Sequence, residues 1–289
     1  MDNFNEFMNK IHFEQIPIKN LVSNQDYQRC LSDLHVKRAV ENFDPYQINP
    51  VKVSRRDGTN YVFNGQHTIE IVATVTESRE TPLWCMVYDD LEYGHEADIF
   101  ANQQKYVKPL TPYEIFVANI EAENEEQLTI KALVESYNLF LAPIKTPGGI
   151  CAISTLEYIY RKFGYHILDA TLRLCIATWE GDINSLTANI LKGIAKLIVA
   201  YGDDLDEVLF KEKLGRCSIR EITRNASERS NGSLGYAEAM LSIYNKRMRT
   251  PLQYSKLYSK RKIMTPDFID NARDDYLNND EYEDETSKN

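Results

Sequence analysis

Residues 62–72 read Val-Phe-Asn-Gly-Gln-His-Thr-Ile-Glu-Ile-Val: a short β-type run, a glycine turn carrying polar side chains, and an apolar helix start. Phosphate binding is the chemistry such a turn can serve. A glycine between strand and helix lets the backbone approach a ligand closely, and the first amide N–H groups of the helix point at whatever sits there, which favours an anion. His67 is the first side chain to single out, because a ring at a helix start can donate to a phosphate or take part in proton transfer. The structural alternative is a turn residue bonded to its own backbone. Gln66 and Thr68 share the phosphate reading or merely cap the helix, and Asn64 suits an Asx-type bond that holds the turn. Glu70, on the helix behind the glycine, is a candidate base or metal ligand, against the commoner reading of a surface carboxylate. The turn alone is weakly specific, since any strand-to-helix connection can need a glycine.

The surrounding periodicity supplies elements to hold it. Residues 16–22 form an opening strand and turn, and residues 35–43 read as a helix with Val36, Val40 and Phe43 on one face. Residues 49–54 form a short strand, and Asp57-Gly58 is a hairpin signal leading into Tyr61-Val62-Phe63. Residues 83–88 are a further strand. This order resembles the N-terminal fold of the ParB/sulfiredoxin family, in which a strand, a glycine turn often written Asp-Gly-x-His-Arg, and a helix follow one another. Here Asn64 stands where Asp is usual and Thr68 where Arg is usual, so two polar or charged partners are missing. A second block, residues 96–114, resembles the ParB stretch Glu-Asn-x-x-Arg-x-x-Leu-x-Pro-x-Glu, with Asn102 and Lys105 aligned to its Asn and Arg. The resemblance covers roughly residues 14–120 and is strongest to ParB-like proteins carried by integrative elements and phages.

The resemblance implies a nucleoside triphosphate, CTP or ATP, whose phosphates are gripped by Gly65, Gln66, His67, Thr68, Asn102 and Lys105, with Arg29 across the pocket. Mg2+ would come in with the phosphates and stay largely hydrated. Lys105 keeps the charge of the family's Arg but loses its planar two-pronged donor geometry. Arg29 is read equally well as a surface arginine, and Lys105 as a solvated helix charge. The implied catalytic pair is His67 and Glu70, in a slow nucleoside triphosphatase coupled to DNA binding or partitioning in a mobile element or prophage. Two alternatives stay open. A nuclease or phosphotransferase on the same scaffold would need a pocket carboxylate, for which Glu70 and Glu96 are the visible candidates. A protein-binding module would result if the altered turn has emptied the site.

The chain has 289 residues, 43% of them hydrophobic and 26% charged, enough to bury a sizeable core in two domains. No apolar run of membrane-spanning length occurs, and the N-terminus lacks the features of a secretion signal, so a cytoplasmic location is expected. Five cysteines are scattered without a C-x-x-C pair, against both a disulfide framework and a zinc site. None lies in residues 62–72, which argues against sulfinic-acid repair.

The net charge of −10 opposes nucleic-acid binding on average, but the distribution is uneven. Lys246, Arg247, Arg249, Lys256, Lys260, Arg261 and Lys262 form an acid-free stretch interleaved with tyrosines, which suits phosphate neutralisation and base stacking. A solvated helix end is its structural alternative. The last residues are acidic and expected to be disordered. From residue 113 the periodicity turns helical, with helices expected over 128–141, 153–163, 167–179, 186–201, 205–214, 219–229 and 235–247. The first two are a poor match to a helix-turn-helix, because a connection with Pro143, Pro147 and two glycines is far longer than its usual turn. The expected fold class is therefore α+β: a ParB/sulfiredoxin-like mixed α/β domain over 1–110, an all-helical domain over 111–262, and an acidic tail over 263–289. Self-association and a protein partner are both compatible with it.

Overall fold

A computed structural model describes residues 10–23, 30–103, 105 and 107–259. Arg29, Lys260, Arg261, Lys262 and the acidic tail lie outside the described residues. The chain divides into two units, Met1–Pro109 and Leu110–Asn289. No helix among the described residues is long and apolar enough to cross a membrane.

The first unit is built on a five-stranded mixed sheet in the order β1-β5-β3-β4-β2. Its strands are β1 (Ile11–Pro17), β2 (Leu21–Ser23), β3 (Val51–Arg56), β4 (Thr59–Asn64) and β5 (Pro82–Asp89). The Asp57-Gly58 turn closes β3 and β4 as an antiparallel hairpin, and both turn residues take the positive φ that two-residue hairpins require, 49° and 74°. β5 lies parallel to β3 on its other side: antiparallel β4 carries the chain back to the end where β3 begins, and α2 (Gln66–Thr76) takes it past β3 to β5. Period-two alternation buries Leu83, Cys85 and Val87 of β5, and Ile69 and Val72 of α2 bury in the same cluster with Val51, Val53 and Val62. Cys85 belongs to this apolar core, and burial pushes its thiol up to about 11, so it stays protonated at neutral pH. α1 (Asp33–Glu41) is capped by the Ser32 hydroxyl, and α3 (Tyr93–Asn102) follows β5.

The second unit is helical: α4 (Pro112–Glu121), α5 (Glu125–Ser136), α6 (Ile153–Phe163), α7 (Tyr165–Trp179), α8 (Ala188–Tyr201), α9 (Glu207–Leu214), α10 (Ile219–Ser227), α11 (Gly232–Asn245) and α12 (Tyr254–Tyr258). Thr111 and Glu114 form a reciprocal capping box with Pro112 in the first turn, the start that the Pro-Leu-Thr-Pro sequence encodes. The core joins Phe116, Leu156, Leu172, Ile194, Phe210 and Met240. Gly193 lets α8 and α11 approach, since a Cβ there would lie 2.7 Å from Met240 Cε and 3.2 Å from Tyr236 Cβ.

Several expected helix boundaries shift by two to five residues, and two of the shifts have a visible local cause. The helix expected over 128–141 ends at Ser136, because Asn138 turns into the left-handed region at φ 56°; Phe140–Leu141 (β6) then pairs in parallel with Gly149–Ile150 (β7). The helix expected from Leu186 begins at Ala188, with Thr187 in the cap position, while the Ser185 hydroxyl donates to the Asp182 carbonyl at 2.7 Å.

Glu238 of α11 is 5% exposed and gathers the chain on both sides of its helix. It accepts from the Ser230 amide at 3.1 Å, from the Ser230 hydroxyl at 2.8 Å, and from the Tyr258 hydroxyl of α12. Burial pushes its carboxyl up, but the hydrogen bonds from Tyr258 and Ser230, helped by the Arg229 charge, outweigh this and hold it below its ordinary 4.5. A group with a depressed folded-state value contributes stability that is present above about 4.5 and lost as pH falls through the folded value. Glu238→Gln should therefore be less stable than the natural protein at pH 7, and the gap should close as pH is lowered below 4.5. Urea midpoints across that range check this, and a gap independent of pH would refute it.

Candidate phosphate-binding turn

β4 enters the turn through an irregularity. Val53 pairs with Val62 and Lys52 with Asn64, so Phe63 is an extra residue on β4, and such a bulge re-aims the chain beyond it. Phe63 and Val62 are both fully buried, and the Phe63 ring meets Tyr88 edge-on at 5.4 Å. The chain then reverses at Gly65, whose φ of 109° suits only glycine without strain. A Cβ on Gly65 would sit 3.1 Å from Val51 Cγ2 and 3.3 Å from Val51 Cα, so the turn is pressed against the central strand. α2 starts at the next residue and carries no side-chain cap.

The second sequence block comes to this turn. Asn64 Nδ2 donates to Gln103 Oε1 at 2.8 Å, joining the turn to the end of α3 across 39 positions of sequence. Gln103, which the family motif does not mark, makes that link. Its neighbour Asn102 instead donates to the Asp98 carbonyl and carboxylate on its own helix, at 3.0 and 2.9 Å. Lys105 follows with an exposed side chain and its amide bonded to the Asn102 carbonyl at 2.9 Å.

Of the turn's side chains, Gln66 is 7% exposed while His67 and Thr68 are half-buried. His67 Nε2 accepts from the Ser32 amide at 3.2 Å, and its ring stands edge-on to His35 at 5.1 Å. Through this bond the starts of α1 and α2 are held together. An acceptor at Nε2 assigns the proton of the neutral ring to Nδ1, so any donation from this ring to an anion falls to Nδ1. Glu70 is paired with Arg79 at 2.7 Å and is 30% exposed.

Glu96 is fully buried and forms an ion pair with Arg56 of β3. The same guanidinium donates to Ser54 Oγ and to the Leu91 carbonyl, each at 3.1 Å, and its carbon lies 4.5 Å from the centre of the Tyr61 ring. Glu96 thus ties α3 to the sheet. Sequence pattern marks it as a candidate pocket carboxylate, while its partner lies 40 positions away, out of reach of local pattern reading.

DUF6551, described as a family of unknown function, matches residues 22–252. No curated protein matches the chain. Among solved structures, the chain is similar to the C-terminally truncated chromosome-partitioning protein ParB from Caulobacter crescentus complexed with CTP-gamma-S. The identity is 16%, the TM-score 0.34, and the match covers 70% of this chain and 98% of that one. The same ParB complexed to the centromeric parS site matches at 16% identity and TM-score 0.26, covering 75% of this chain and all of that one. Neither likeness carries a ligand over to this chain.

Proposed function

We propose, on the premise that this chain belongs to DUF6551, a family of unknown function, that its first unit binds the phosphates of a nucleoside triphosphate at the Gly65 turn. The observation that carries this reading is the Asn64–Gln103 hydrogen bond, which unites two polar motifs that are far apart in sequence. Gly65 supplies close backbone approach, the start of α2 supplies amide donors, and Thr68, Nδ1 of His67 and Lys105 supply the side-chain donors. CTP or ATP with Mg2+ is the proposed ligand, and binding is coupled to association with DNA in a mobile element or prophage.

Slow hydrolysis would need a base at the turn. Both candidate carboxylates already hold an arginine, Glu70 with Arg79 and Glu96 with Arg56, which favours binding over turnover. A second reading, a protein-binding module with an emptied site, is favoured by one observation: His67 Nε2 and the Asn102 amide are both engaged within the chain.

Thermal denaturation with each of CTP, ATP, GTP and UTP plus Mg2+ separates the two. A ligand present at 100 times its dissociation constant should stabilise the protein by about 2.7 kcal/mol. Stabilisation by one of the four is the expected result; none from any of them up to millimolar concentration would overturn the nucleotide reading and leave the module.

A further inference from the structure

The sheet of the first unit is covered unequally. On one face Ile69 and Val72 of α2 bury with Val51, Val53, Cys85 and Val87. On the other, α3 and the residues leading into it cover β3 and β4, where Glu96 pairs with Arg56 and the Ser54 hydroxyl donates to the Leu91 carbonyl at 3.2 Å. Over β1 and β5 this second face is open among the described residues. Register sets Ile11 opposite Tyr88, Phe13 opposite Met86 and Gln15 opposite Trp84, all on that side. Phe13 is 60% exposed and Trp84 56%, and the two stand on a cross-strand diagonal, within reach of each other.

Two large aromatic side chains standing side by side in water on a sheet face mark a docking surface. The sequence next to β1 supplies an occupant. Residues 1–9 lie outside the described residues and read Met-Asp-Asn-Phe-Asn-Glu-Phe-Met-Asn, with Phe4, Phe7 and Met8 spaced i, i+3 and i+4 among polar neighbours, the spacing of one apolar stripe. The chain joins the sheet at Lys10, whose carbonyl accepts from the Asp89 amide at 2.9 Å, at the Ile11 end of the open face. From Ile11 to Gln15 that face runs about 13 Å at the rise of a strand. Residues 4–9 span about 9 Å as a helix and about 20 Å extended, so in either form their apolar side chains reach Phe13, Trp84 and Met86. Residues 24–29 also lie outside the described residues, but they follow β2 at the opposite edge of the sheet and carry Tyr27 alone among polar side chains.

We propose that residues 1–9 dock back on the open face of this sheet, with Phe4, Phe7 and Met8 covering Phe13, Trp84 and Met86. The surface is a self-docking site: the segment that precedes β1 closes over the strand it leads into. Such a cover removes the apolar surface that would otherwise draw a second copy to the edge of the sheet. The inference concerns the face away from α2 and stands apart from the nucleotide reading.

Trp84 reports on the cover, since Trp179 is the only other tryptophan in the chain. Trp179→Phe isolates it and costs no hydrogen bond, because the ring N–H of Trp179 is buried without a partner among the described residues. In the full chain carrying Trp179→Phe, acrylamide should quench Trp84 slowly. Adding Phe4→Ser with Phe7→Ser should raise the quenching constant about threefold and move the emission to the red, as a large ring passes from covered to half-exposed. Phe4→Leu with Phe7→Leu keeps an apolar cover and should retain the protection, as should Asn3→Ser with Asn5→Ser, which changes only polar side chains of the same segment. A second measurement avoids loss of side chains altogether: a photoreactive benzoyl-phenylalanine incorporated at Phe7 should crosslink, within one chain, to the peptides carrying Phe13 or Trp84 and Met86. Four results would each overturn the inference: equal quenching in all variants, protection indifferent to the serine pair, protection lost on dilution from about 100 to 1 µM, which would make a second copy the occupant, or crosslinks that run only elsewhere or between chains.

Discussion

Arg56→Ala is expected to cost the first unit about 3–5 kcal/mol, because it strands the Glu96 carboxylate in the interior without its counter-charge. Glu96 is fully buried and pairs with Arg56, whose own side chain is 22% exposed. The guanidinium also serves Ser54 Oγ and the Leu91 carbonyl and lies against the Tyr61 and Tyr93 rings, so one truncation removes several donors and the packing of the arginine stem. Glu96→Gln keeps the shape and an acceptor, and should cost less than Arg56→Ala; combining the two should cost less than the sum, since the stranded charge is then gone. Urea unfolding followed by a probe in the first unit measures all three. Strict additivity, or a cost for Arg56→Ala below about 1 kcal/mol, would mean that the pair is not desolvated as the geometry requires.

The consequence reaches the candidate site. α3 carries Gln103 to Asn64, and the Arg56–Glu96 pair fixes α3 against β3, so loosening the pair should weaken nucleotide-induced stabilisation even where the fold survives. A side chain that never touches the proposed ligand would then control how the two candidate phosphate-binding segments are held together.

The glycine turn was legible in the sequence because its punctuation is local: a β-type run, a glycine, and a helical stripe, which the structure realises as β4, Gly65 and α2. The hairpin at Asp57-Gly58 was legible for the same reason. The placing of β5 parallel to β3 was not, because which side of β3 the chain joins after β4 and α2 leaves no mark in the strand itself. The choice between Asn102 and Gln103 was also out of reach. Adjacent residues on a helix point about 100° apart, and the phase of α3 is set by the ion pair to β3. Glu96 reads in sequence like a solvent-accessible acid because a buried carboxylate differs from an exposed one only in its distant partner.

The largest effect at the turn itself should come from Gly65→Val. At φ 109° a β-branched residue carries backbone strain of roughly 1–3 kcal/mol. Its Cβ would also fall 3.1–3.3 Å from Val51, including the Cα of a strand held on both sides by β4 and β5, so the neighbour cannot move away. Overpacking of this kind typically adds about 1–3 kcal/mol, for a combined loss of about 2–6 kcal/mol in the first unit. Gly65→Asn separates the two contributions, because asparagine tolerates the left-handed region but still carries a Cβ, and it should destabilise less. Val51→Ala introduced with Gly65→Val should restore part of the loss, although Val51→Ala alone removes fully buried apolar surface and should destabilise. In the Gly65→Asn protein, if it folds, nucleotide-induced stabilisation should fall, since a Cβ pressed on Val51 would displace the turn that the proposal gives to the phosphates. Gly65→Val as stable as the natural protein would show that the turn is not pressed on β3, and nucleotide binding retained by Gly65→Asn would show that the phosphates lie elsewhere.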